Sequence, residues 1–571
     1  MKNHHLFLII LLAALAAALG LSACGPASVP NSISTQAPTQ PPQVISPTPP
    51  DTPASEELSH LEDMFISADN CTACHTAMTD EAGNDVSYSA QWQAGIMAHA
   101  VDDPYYRATV SSEISAHPEL QTVIEDKCAP CHMPMAHFAT KAAGGETAIF
   151  GTEGFLSAEN PLHDMAMEGI SCTACHQLAP ETFAQKDPTS GHLLFDIESP
   201  KGKRPLYGPY AVDETQANIM TAASGFLPVQ SDHLSDSKMC ATCHTLYTSY
   251  LLADGSLSET LFPEQTPYLE WENSIYKDNT SCQECHMPTA EGGVVLSITG
   301  GEARSPFLQH TFTGGNIYML RILQKMSETA DISSTEEDFE TPIHETTNML
   351  QNQTADLSID AIEIMDSLLA FNVAIKTQTG HKFPSGYPSR RAWLHVTVTD
   401  ASGEKVFESG EVGPNGEITD NANDIDATTF EPHYLDISTP DQVQIYETIL
   451  QDDSGAVTTG LLYAANYAKD NRLLPNGFDL ANASADIAVR GLAANDVDFI
   501  GGGDTTQYTI AIDPAKGPFT VTAKLLYQSI GYRWAQNLAP YATTETDEFL
   551  GYYNAVSNLP TTIVEQEIVT P

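Results

Sequence analysis

The apolar positions change rhythm along the chain. Leu6 to Gly20 is an unbroken apolar or small run behind the positive Lys2. That is the layout of an export signal, and the stretch is short of the ~20 residues a spanning helix needs. Residues 25–55 have no hydrophobic periodicity, and nine prolines fall between Pro26 and Pro53, which predicts an extended, polyproline-like tether. Helix-period patterns are weak from about 58 to 290, so short helices and long loops are expected there. Ile317, Leu320, Ile322, Leu323 and Met326 form an amphipathic stripe that predicts a helix near 314–328, and a second helix is expected at 345–357. Beyond them the period becomes two. Leu369 to Ile375, Trp393 to Val398, Val443 to Tyr446, Tyr508 to Ile512 and Phe519 to Ala523 read as strands, separated by Gly- and Asp-rich turns such as Asp400–Gly403 and Gly501–Asp504. His395 falls on one face of such a strand. The expected fold is α+β and multidomain: a signal peptide over 1–23, a tether over 24–57, a mainly helical and loop region over 58–365, and a β-sandwich over 366–571.

Charge and composition narrow the partners. With 74 acidic and 24 basic side chains the formal charge is −50, which argues against nucleic acid or an anionic lipid face. Disorder is not implied, since 42% of the residues are hydrophobic and only 17% charged. The 11 cysteines are an odd number, so a fully paired disulfide framework is excluded. One of them is explained by its neighbours. Leu21-Ser22-Ala23-Cys24 resembles the lipobox of bacterial lipoproteins, in which Cys24 becomes the lipidated first residue. The mature chain is then expected outside the cytoplasm, anchored by lipid to a membrane at the cell surface or periplasmic face.

The other ten cysteines form five pairs at one spacing: Cys71/Cys74, Cys128/Cys131, Cys172/Cys175, Cys240/Cys243 and Cys282/Cys285. Each pair is followed at once by a histidine, namely His75, His132, His176, His244 and His286, although only 19 of 571 residues are histidine. Cys-x-x-Cys-His is the attachment site of c-type haem. Two thiols reach the two vinyl groups, and the adjacent imidazole lies under the iron as the proximal ligand. Thioredoxin-like motifs come singly and need no histidine, and zinc ribbons use the cysteine pairs in twos. The spacing therefore predicts five covalent haems c.

Distal ligands are sought among the other histidines: His99, His137, His233, His310 and His381 by local context, with His60, His117, His163, His192, His344 and His433 left open. Met97 is the methionine best placed to replace one of them. Lys382, Arg390 and Arg391 cluster beside His381 and are expected to pair with haem propionates. The run Asp420 to Asp426 has calcium-like ligand types but lacks the EF-hand glycine and glutamate in register, so it reads as a solvated loop.

The spaced motifs, with a stretch from Trp92 to His99 and Ala100 ahead of the second one, resemble the multihaem cytochromes of the cytochrome c-552/4 type, relatives of hydroxylamine oxidoreductase. The resemblance covers about residues 60–300. It implies a distal role for His99 and, as in most members, electron carriage; some members act on nitrogen or sulfur oxyanions. The pentahaem nitrite reductases resemble the chain in haem count only, since their catalytic haem has lysine in place of a motif histidine. No acid–base dyad or nucleophile stands out and no catalytic residue is assigned. Electron transfer to other redox proteins or extracellular acceptors is expected. The alternatives are an oxidoreductase acting on hydroxylamine or nitrite at one open haem, and a subunit of a structural haem filament.

Overall fold

Alternation in the C-terminal third is realised as two sheets packed face to face. The computed structural model describes residues 63–570 apart from 330, 331 and 333. The expected signal peptide, Cys24, the tether and His60 lie outside the described residues. Among the described residues no helix is long and apolar enough to cross a membrane.

Residues 63–316 hold mostly five- to seven-residue helices joined by turns, with a parallel strand pair, β1 (Pro205–Gly208) and β2 (Leu227–Gln230), and a hairpin, β3 (Leu246–Leu251) and β4 (Leu257–Gln265). Four helices are longer than the weak periodicity suggests: Pro104–Ala116, Gln121–His132, Pro134–Ala142 and Glu214–Ser224. The first is capped by Asp103, whose carboxylate accepts from the Tyr105 and Tyr106 amides. It is buried on several sides, from Tyr105 to Val110 and Ser111, so it shows no single stripe. The amphipathic stripe does form a helix, Ile317–Ser327, with Ile317, Leu320, Ile322, Leu323 and Met326 all buried.

The next helix, Glu340–Asn352, starts and ends earlier than expected, and residues 355–357 are strand rather than helix. The β region thus begins with β5 (Ala355–Met365), ahead of the boundary at 366. It continues through β6 (Leu368–Thr377), β7 (Arg391–Thr399), β8 (Lys405–Ser409), β9 (Asp436–Ile437), β10 (Ile445–Gln451), β11 (Val457–Thr458), β12 (Asn466–Asp470), β13 (Gly503–Ala511), β14 (Thr520–Gln528) and β15 (Thr561–Val569). One sheet runs β5-β6-β13-β9; the other runs β11-β10-β7-β14-β15, with β12 beside β10 and β8 beside β7. Leu369, Phe371, Val373 and Ile375 of β6 meet Leu394, Val396 and Val398 of β7 and Val521, Ala523 and Leu525 of β14 in one core. His395 points to the other face of β7 and pairs with Glu408 of β8 at 2.9 Å.

The two regions share their packing. Ile317 and Leu350 join the sandwich core. Tyr318, Leu320 and Ile322 pack with Trp534, Phe549 and Tyr553 of the C-terminal helices in a second one.

Candidate functional site

The five Cys-x-x-Cys-His motifs sit on or at the end of helical turns: Ala68–Thr72, Gln121–His132, Cys172–His176, Lys238–His244 and Cys282–His286. Helical spacing sets the two cysteines three apart and the histidine four from the first, so all three side chains share a face. The last of these helices is fixed by a capping box, Ser281 with Glu284. The ten cysteines are unpaired.

All five motifs converge on one cavity of 1760 Å³. A pocket for one drug-sized ligand measures ~300–1,000 Å³, so this space suits several bulky groups. His75, His132, His176, His244 and His286 all line it.

Four of the five imidazoles are aimed by the backbone. Nδ1 of His75 donates to Leu296 O (2.6 Å), His132 to Ala100 O (2.8 Å), His176 to Tyr207 O (2.7 Å) and His286 to Thr313 O (2.6 Å). A carbonyl only accepts, so the proton is on Nδ1 and the Nε2 lone pair is left for a metal. His244 has no such bond among the described residues. Burial pushes His132 and His244 down to about 4 and lowers His75, His176 and His286, keeping the imidazoles in the neutral form a metal requires.

Two of the five candidate distal histidines face a motif histidine. The His310 ring lies 6.3 Å from that of His176 with 11° between planes, and the His381 ring lies 6.1 Å from that of His286 with 4° between planes. Two imidazoles bound through Nε2 to one metal, at ~2.0 Å per bond, have centroids about 6 Å apart. His310 and His381 turn Nδ1 toward carbonyl oxygens, Leu308 O at 3.2 Å and Lys382 O at 3.0 Å. Burial lowers both, His310 to about 3.

The other three are engaged elsewhere and do not line the cavity. His99 bonds Asp102 through Nδ1 (3.0 Å) and Ser334 through Nε2 (3.3 Å). Nε2 of His137 is held by Asp126 (3.1 Å), and His233 uses both nitrogens, on Ser231 and on Leu178 O. Near His99 it is Gly95, Ile96, Met97 and Ala100 that reach the cavity.

The His381 loop is clamped to the helix Pro267–Glu272 by buried charge. The Lys382 amide donates to Glu270 Oε2 (3.1 Å), and Lys382 Nζ meets Asp470 Oδ2 at 2.6 Å. Arg472 bridges Asp470 and Glu270 at 2.9 and 2.8 Å. Burial works against ionisation of Asp470, but Arg472 and Lys382 outweigh it and hold its carboxyl down at about 2. This corrects the expected propionate cluster. Lys382 is spent on Asp470, and Arg391 forms a fork with Asp424 at 2.8 and 2.9 Å, because a buried cation needs a carboxylate at hand. Arg390 alone of the three lines the cavity. The same fork corrects the solvated loop at 420–426: Asn421, Asn423 and the Asp424 carboxylate are buried.

Thiols of different motifs meet. Cys71 contacts Cys172, Cys131 contacts Cys243 and Cys240 contacts Cys282, while Cys175 is an electrostatic neighbour of Cys243. The motifs therefore neighbour one another in the order first, third, fourth, fifth, and the second joins at the fourth.

No protein-family model matches the sequence, and no curated protein matches it. The chain is similar to the crystal structure of a penta-heme cytochrome c552 from Thermochromatium tepidum, with 16% identity and a TM-score of 0.47 over 89% of this chain and 100% of that one.

Proposed function

We propose that the protein carries electrons through five c-type haems held in the common cavity, one on each Cys-x-x-Cys-His motif. The observation that carries this reading is the convergence of all five motifs on one cavity, with neutral imidazoles directed into it. A bound haem iron alternates between ferric and ferrous and so takes up and passes single electrons. The chain's own part is to attach, aim and enclose. The ten thiols provide thioether links, and the five motif histidines are proximal ligands. His310 opposite His176 and His381 opposite His286 serve as distal ligands, which makes the loop after β6 part of the redox core. The order of thiol contacts supports a relay through the first, third, fourth and fifth sites, with the second entering at the fourth. Cys24, as the lipid anchor, would tether this relay to a membrane outside the cytoplasm, facing other redox proteins.

The pyridine haemochrome assay on protein matured with a cytochrome c assembly system should give five haems c per chain. A count of four or fewer in fully matured protein rejects the reading. For ligation, His381→Ala should convert one low-spin EPR signal to high-spin; an unchanged spectrum removes His381 from the iron.

A second reading, reaction of a small nitrogen oxyanion at one open haem, is favoured by the fourth motif. Among the described residues His75, His132 and His244 all lack an imidazole opposite them, and of these His244 is the one whose pKa the nearby Arg390 charge helps to lower. A high-spin haem in the unaltered protein, perturbed by added nitrite, would support it.

A further inference from the structure

Outside the haem cavity, the sandwich holds a compact group of ligating atoms that electron transfer does not use. His433 precedes β9, Asp496 and Asp498 precede β13, and Asp504 lies on β13. Ligand atoms of His433, Asp496 and Asp504 all fall within 4.8 Å of one another. The side chains are 0%, 2% and 0% exposed, so solvent does little to screen them.

The amides around His433 fix its protonation. Gln444 Oε1 accepts from the Tyr434 amide, and Asn471 Oδ1 accepts from the Glu447 amide. Both side-chain NH2 groups therefore face His433 Nδ1, at 3.0 and 3.1 Å. Nδ1 is the acceptor, so Nε2 carries the proton and donates it to Asp496 Oδ2 at 2.9 Å. A metal-binding histidine normally donates its other N–H outward; here that nitrogen accepts twice. His433 is thus not a ligand but a donor that orients Asp496.

The carboxylates remain undercompensated. Asp504 Oδ2 accepts from Tyr446 OH (2.7 Å) and Gln444 (3.2 Å), but its Oδ1 is buried without a hydrogen-bond partner, 3.9 Å from His433 Nε2. The Asp498 carboxyl is in hydrogen-bond contact with that of Asp496. Lys469, a nearby cation, is committed to Glu447 at 3.1 Å. Each Asp496 oxygen accepts one bond, from His433 Nε2 and from the Asp498 amide at 3.1 Å, so the orphaned Asp504 Oδ1 is the donor-free buried oxygen that a hard cation would compensate. The irregular set with one member at the exposed rim suits calcium better than magnesium, which demands a near-ideal octahedron.

We propose that Asp496, Asp498 and Asp504 form a calcium site, with His433 as its positioning residue. The ligands are oxygens, so a soft or borderline metal such as zinc gains little there. The site ties the segment before β13 to the strand itself.

The test is isothermal titration of the haem-loaded full chain, stripped with chelator, with Ca2+, Mg2+ and Zn2+ in turn. Calcium should bind, magnesium at least tenfold more weakly, and Asp504→Asn should abolish the calcium site. Asp498→Asn, on the exposed rim, should weaken it at least tenfold with Soret and far-ultraviolet circular dichroism spectra unchanged, which keeps the test decisive if Asp504→Asn misfolds. Asp426→Asn, in the other acidic run, should leave binding as it was. Absence of calcium binding, calcium binding indifferent to Asp498→Asn, or a preference for zinc overturns the proposal.

Discussion

The four charges of Lys382, Asp470, Arg472 and Glu270 hold the loop that carries His381. Each is buried, and their pairings at 2.6 to 2.9 Å leave each cation a carboxylate partner. Removing Lys382 leaves Arg472 as the one cation facing two buried carboxylates, so Lys382→Met should cost about 3–5 kcal/mol in urea unfolding. A pH dependence follows from Asp470. Its folded pKa, about 2, lies below the ~3.9 of an unfolded aspartate, so its contribution is fully present above pH ~4. That contribution, on the order of 2–3 kcal/mol, is lost as pH falls from ~4 toward 2. Acid unfolding monitored by circular dichroism should therefore steepen in that window, and Asp470→Asn should flatten it.

Strand β6 shows how directly an alternating segment becomes core: Leu369, Phe371, Val373 and Ile375 are all buried, and Phe371 stacks on Tyr508 of β13 at 5.2 Å. Phe371→Ala should cost about 3–5 kcal/mol in equilibrium unfolding, because the packed sheets cannot collapse into the space. The strands legible in the sequence are those with an unbroken period of two. Strand β5 escaped because a bulge between Asp360 and Glu363, with Ala361 at φ +50°, shifts its alternation partway along. In β15, Glu565, Gln566 and Glu567 occupy three successive positions and hide the inward face. The motif helices were legible because the Cys-x-x-Cys-His spacing is the same five times in the sequence. On the opposite side of the cavity, context singled out His310, His381, His99, His137 and His233 alike, and of these only His310 and His381 have rings that face a motif histidine. Only tertiary partners such as Asp102, Asp126 and Leu178 O separate the two groups. The carboxylate group at His433 was illegible: Asp496, Asp498 and Asp504 are close in sequence but match no ligand motif, and only the packing of β9 beside β13 brings His433 to them from some 60 to 70 residues earlier.

At the scale of the whole molecule, 24 basic residues against 74 acidic ones make the exterior a negative field. Association with a positively charged redox partner should slow as salt is raised from ~0.01 to ~0.15 M, while the Debye length falls from ~30 to ~8 Å. Stopped-flow reduction by a basic electron donor would measure this, and a salt-independent rate would mean that docking ignores the net charge. The parallel rings of His286 and His381 have a mechanical counterpart at this same scale. Were one iron to join them, as proposed, the two histidines would be a cross-link that closes a loop of roughly 95 residues. Loops of that length lose about 4–5 kcal/mol of conformational freedom in the unfolded chain when a disulfide closes them. On the proposed reading, in which the motif cysteines hold haem, a shared iron would give the chain the kind of bracing that a disulfide gives elsewhere.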